Sequence, residues 1–96
     1  MEKLEISDIT ALLVEPSATQ QKIICRQLNQ VGIINIITQR DGQETLEQLE
    51  RLNPDVVISA MYLPDMTGTD LVHKMRETPA TSDMAFMLIS SDTLFR

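Results

Sequence analysis

The sequence predicts an α/β fold, a parallel sheet with helices on both faces, and three observations predict it. Four short apolar runs are spaced along the chain, three polar stretches with apolar residues at helical spacing lie between them, and cap or stop residues mark most of the joints. At 96 residues with 43% hydrophobic content, the chain has room for one small domain. Strand, helix, strand repeated in this way implies parallel pairing through right-handed crossovers.

"TALLV" (Thr10 to Val14) is short, continuous and apolar, as a strand buried on both faces should be. Ser17 with Gln20 three residues on makes a capping-box pattern, Ile24, Leu28 and Val31 follow at helical spacing, and Gly32 stops that helix. "IINIIT" (Ile33 to Thr38) is a second strand. Asp41 with Glu44 caps a second helix whose Leu46 and Leu49 face inward, and Asn53-Pro54 ends it. Val56 to about Met61 forms a third strand, followed by the loop "LPDMTG" and a third helix carrying Leu71, Val72 and Met75. After the loop "TPATSD" comes a fourth strand, "AFMLIS" (Ala85 to Ser90), and "SDTLFR" reads as an incomplete helical turn. Residues 1–9 are a short leader, and residues 10–96 the single domain.

Charge and composition narrow the function classes. Fourteen acidic against eight basic residues give a net charge of -6, with no basic stripe to meet a nucleic-acid backbone. The first ten residues lack the apolar core of a signal peptide, and no apolar run nears the ~20 residues of a membrane span, so the expectation is a cytoplasmic protein that engages neither membrane nor nucleic acid. Cys25 stands alone and reads as a small core residue.

In open parallel sheets the chemistry sits beyond the carboxyl ends of the strands. That directs attention to Glu15 and Pro16, Thr38 to Asp41, Ala60 to Asp65, and Ser90 to Asp92. Through "LLVEPSATQ", "RDGQETLEQL", "PDVVISAMYLPDMTGTDLVHKMRE" and "PATSDMAFMLISS", the chain resembles the receiver domain of two-component response regulators, from about Thr10 to its last residue. The resemblance implies a flavodoxin-like, doubly wound parallel sheet with receiver topology. Its strand order would be 2-1-3-4, with the fifth strand and last helices missing because the chain stops first.

The resemblance also implies a site. Receivers close the first strand with a pair of acids and the third with a single acid. These hold Mg²⁺, and the third-strand carboxylate takes a phosphoryl group while the metal neutralises charge. A Ser or Thr ending the fourth strand and a Lys ending the fifth then bind the phosphate. Placed on this sequence, Glu15 matches the first acid, Pro16 falls on the second, Ala60 on the acceptor and Ser90 on the Ser/Thr position, while the Lys position lies beyond Arg96. A methyl group takes no phosphoryl group, and one carboxylate is too few for Mg²⁺. The pocket of Glu15, Pro16, Ala60 and Ser90 therefore reads as degenerate, with no metal, cofactor or catalytic residue. Two carboxylates ~5 Å apart at an effective dielectric of ~20 repel by about 3 kcal/mol, and Pro16 and Ala60 remove that repulsion.

The expected role is a non-enzymatic pseudo-receiver acting through a protein partner or an attached output domain. An enzyme-class alternative is an unconventional Mg²⁺-dependent phosphoacceptor using Glu15, Asp65 and Ser90. A flavodoxin-like cofactor domain is a third reading, but "EPSATQ" contains no glycine, Trp is absent and aromatics are 3%, which leaves little to hold a flavin. Ser59 and His73 have ordinary readings, a strand residue turned from the pocket and a solvated helix residue. Without a fifth strand, the edge of the fourth strand and a sheet face drawn from Val56 to Ile58 and Phe86 to Ile89 would be bare, which predicts a homodimer through either.

Overall fold

The computed structural model describes residues 5–89. Its elements are β1 (Thr10–Val14), α1 (Ala18–Gln30), β2 (Asn35–Gln39), α2 (Gly42–Leu52), β3 (Val56–Ala60), α3 (Gly68–Glu77) and β4 (Ala85–Ile89), with short 3-10 turns at Ile6–Asp8 and Pro79–Thr81. All strand pairs are parallel, in the order β2-β1-β3-β4. This is the flavodoxin-like receiver order expected for the first four strands.

β1 and β3 are central and apolar on both faces, and each face feeds its own core. Leu12, Val14 and Val57 pack with Leu49 of α2 and with Leu71 and Met75 of α3. Ala11, Leu13 and Ile58 pack against Ile24 of α1, with Cys25 and Leu28 beside it. Burial raises the Cys25 thiol's pKa, as suits its place against this core. At the amino ends of the central strands, Asp55 donates its backbone N–H to the Thr10 carbonyl and accepts the Thr10 N–H on its carboxylate (2.8 and 2.7 Å), which sets the β1/β3 register.

The helix boundaries follow their caps. Ser17 Oγ accepts the Gln20 N–H at 3.3 Å, Asp41 accepts the Glu44 N–H at 2.8 Å, and Thr67 and Asp70 form a reciprocal capping box at α3. Asn53 ends α2 in the left-handed region at φ 44°. Gly32 follows α1 at φ 101°, a conformation glycine adopts without strain.

Three details differ from the sequence reading. β2 begins at Asn35, because Val31, Gly32 and Ile33 bond back to the last turn of α1 before the chain extends. The turn at Ile6–Asp8 is docked, with Asn35 donating to the Ser7 carbonyl at 3.0 Å and Ile6 lying against Gly32. The bare sheet face is also narrower than expected. Val57 and Ile58 are buried and Val56 is half-buried, so of the large apolar residues on β3 and β4 those exposed are Met87 and Leu88, which as neighbours on one strand point to opposite faces. α1 shields Val56 and Ile58 more fully than a count of elements suggests, while Val57 is covered from the opposite face by α2 and α3.

Candidate functional site

β1 and β3 deliver Glu15, Pro16 and Ala60 to one end of the sheet. Glu15 follows directly from β1, with its N–H bonded to the Gln39 carbonyl at 2.9 Å, so the strand ladder fixes its backbone. Its side chain is buried and turns back on its own loop, where Oε2 accepts the Ser17 N–H at 2.8 Å. Gln21 Nε2 donates to the Glu15 carbonyl at 2.7 Å, and Arg40 Nη2 donates to the Pro16 carbonyl at 3.2 Å. The β1–α1 loop is thereby held by α1 on one side and by the end of β2 on the other.

Ala60 is the last residue of β3 and is half-buried. Its carbonyl accepts Ser59 Oγ at 2.9 Å, and a side chain added at Gly68 would run into that same oxygen and into Leu88. α3 therefore starts against β3 only because position 68 has no Cβ. Ser59 is fully buried beneath this contact. His73 is exposed on α3. Ser90 and Asp92 lie outside the described residues.

Asp65 is not directed at Glu15 or Ala60. Its carboxylate accepts the Gly42 and Gln43 N–H groups, both at 2.9 Å, at the start of α2. The bond from Gly42, aided by that from Gln43, lowers its pKa below the ordinary aspartate value. An open groove between α2 and α3 runs beside it, lined by Gln43, Met66, Asp70, His73 and Lys74 among others. Gln21 and Gly42 were not singled out as site residues by sequence reasoning, and Arg40 fell inside the stretch Thr38 to Asp41 without a role assigned to it. The only signal was the "DG" before α2, because the contacts of Arg40 and Gln21 depend on where two loops meet.

Mg²⁺ needs several hard oxygen ligands. Among the described residues no group of three His, Cys, Asp or Glu side chains could hold a metal ion, and the Glu15 carboxylate already accepts a backbone N–H. The described residues do not fit that ion.

A sequence profile of the response regulator receiver domain matches residues 11–94. This chain belongs to the response regulator receiver family. Among curated receiver relatives, the protein-glutamate methylesterase/protein-glutamine glutaminase of Bacillus subtilis is 35% identical over 88% of this chain, which spans 23% of that protein. Chemotaxis protein CheY1 of Helicobacter pylori is 28% identical over 84% of the chain, which spans 66% of it. Among solved receiver structures, chemotaxis response regulator CheY4 of Vibrio cholerae matches with a TM-score of 0.74 at 25% identity, covering 83% of this chain and 66% of that one. The N-terminal domain of a response regulator receiver protein from Methanoculleus marisnigri gives 0.74 at 28% identity, covering 82% and 63%. The chain thus spans about two thirds of CheY1 and of these two solved chains and about a quarter of the Bacillus protein. No helix among the described residues is long and apolar enough to cross a membrane.

Proposed function

We propose that this chain is a pseudo-receiver of two-component signalling, acting by phosphorylation-independent contact with a protein partner or by regulating an attached output domain. The observation that carries the reading is the strand-end chemistry: Ala60 closes β3, Pro16 follows Glu15, and the Glu15 carboxylate is spent on the Ser17 N–H. A pocket without clustered carboxylates has no repulsion for a metal to relieve, so it holds one state without an ion. That leaves surface recognition as the way such a domain carries a signal. The Bacillus relative, of which the shared stretch is under a quarter, supports an output domain as the natural recipient.

The alternative acceptor set of Glu15, Asp65 and Ser90 is disfavoured, because Asp65 and Glu15 each bond to separate backbone amides. A thermal melt with millimolar Mg²⁺ and a mass measurement after acetyl phosphate test both readings. A ligand at a hundred times its dissociation constant stabilises by about 2.7 kcal/mol, which in a domain this small shifts Tm by on the order of 10 °C. The expected result is no Tm shift and no added phosphoryl mass. A clear upward shift with Mg²⁺, or phosphorylation, overturns the pseudo-receiver reading.

A further inference from the structure

The loop between β3 and α3 is more tightly organised than its exposure suggests. Leu63 N–H donates to the Met66 carbonyl at 2.9 Å and Gly68 N–H to the Met61 carbonyl at 2.8 Å, which folds the loop back on itself. Its tip then reaches 22 and 23 residues back along the chain, where Asp65 takes the first two N–H groups of α2. The Met66 thioether lies over Gly42, in the space that a side chain there would fill. The third N–H of α2, from Glu44, is taken by Asp41. Two carboxylates therefore divide the free amides of one helix start, one from the helix's own cap and one from a distant loop.

We propose that the β3–α3 loop is an acid-releasable latch, closed when the Asp65 carboxylate accepts from Gly42 and Gln43 and the Met66 thioether seats on Gly42, so that α2 and α3 respond as one unit. Thr67, the cap of α3, is two residues from Asp65, so a displacement of the loop tip is carried directly into the start of α3. The titratable groups around the latch are Asp41 at the cap of α2, Glu44 in its first turn, and Asp70, His73, Lys74 and Glu77 on α3. His73 and Lys74 lie on the α3 wall of the groove, and the contacts that favour ionised Asp65 are backbone amides. Protonation removes the charge that both N–H groups point at and converts one acceptor oxygen to a hydroxyl, so the closed latch belongs to the ionised state. The folded-state pKa is lowered, so closure is complete above the unfolded-state value and is lost as pH falls through the folded one.

Amide and methyl NMR on the whole chain tests this. As pH falls from neutral, the Gly42 and Gln43 amides and the Met66 methyl should shift together, with one midpoint below that of an ordinary aspartate. In Asp65→Asn that shared transition should vanish, and exchange of the Gly42 and Gln43 amides should rise about three- to tenfold, as expected of a solvent-screened charged hydrogen bond. Exchange of the Glu44 amide, held by Asp41, should stay unchanged. Separate midpoints for Met66 and the two amides, or unchanged exchange in the variant, overturns the latch. The titration of the unmodified chain decides the matter even if Asp65→Asn does not fold.

Discussion

Position 60 carries a methyl group and position 16 a pyrrolidine ring, and these leave Glu15 as the carboxylate closing β1 with no acidic partner closing β3. Ala60→Asp alone should therefore remain unphosphorylated by acetyl phosphate, because Pro16 still contributes no ligand. Adding Pro16→Asp should create a Mg²⁺ site visible by calorimetry. It should also lower the metal-free stability in urea by up to about 3 kcal/mol, the repulsion of a close carboxylate pair. Efficient phosphorylation of the single variant would show that Glu15 releases the Ser17 amide and suffices for the metal. The identities at 15, 16 and 60 were legible in the sequence because strand ends and loop spacing place them. The direction of the Glu15 side chain was not, since it depends on a backbone N–H two residues on, in a loop that periodicity does not describe.

At the scale of the elements, α3 illustrates how local sequence and packing combine. Thr67 and Asp70 cap each other's backbone, and Leu71 and Met75, one turn apart, are fully buried against the sheet. Thr67→Ala should cost about 1 kcal/mol through the lost cap, whereas Leu71→Ala should cost about 2–5 kcal/mol through the cavity it leaves. Paired urea melts would separate the two, and an equal cost would mean that α3 is held mainly by its end. The Thr67 backbone and hydroxyl, with smaller help from the His73 and Lys74 charges, also lower the pKa of Asp70. Asp65 shifts in the same direction, so both stabilise the ionised fold, and that stabilisation is present above an unfolded-state pKa of about 4. Tm should accordingly hold near neutrality and fall only as pH drops below that value. A Tm that rises on acidification would contradict both assignments. β1, β3 and the caps Ser17 and Asp41 were legible in the sequence, because continuous apolar runs and Ser or Asp before a periodic stretch have few other meanings; the Thr67 cap of α3, set inside the loop after β3, was not read. β2 was misplaced at its start, since Ile33 and Ile34 look as strand-like as Ile36 and Ile37, and only the turn after α1 excludes them.

Over the whole molecule, the two cores are unequal in cover. α2 and α3 close one face, while among the described residues α1 is the only helix on the other, and β4 has no strand partner on its outer side. Met87 and Leu88 are 54% and 38% exposed on that strand, and β4 carries no charge to discourage pairing. The 96-residue polypeptide studied alone should therefore self-associate through β4, and a longer polypeptide that supplies a neighbouring strand should do so less. Light scattering across a dilution series is the check, and a stable monomer at tens of micromolar would rule the association out. Any strand that joins there meets a constraint set elsewhere. Arg76, in the last turn of α3, donates from one nitrogen, Nη1, to the carbonyls of Met84, Ser82 and Thr81 at 2.7, 3.1 and 3.5 Å, and so pins the approach to β4. The outer row of backbone donors and acceptors begins at a point dictated by that guanidinium. A newcomer would find the near end of that edge already held in place by α3.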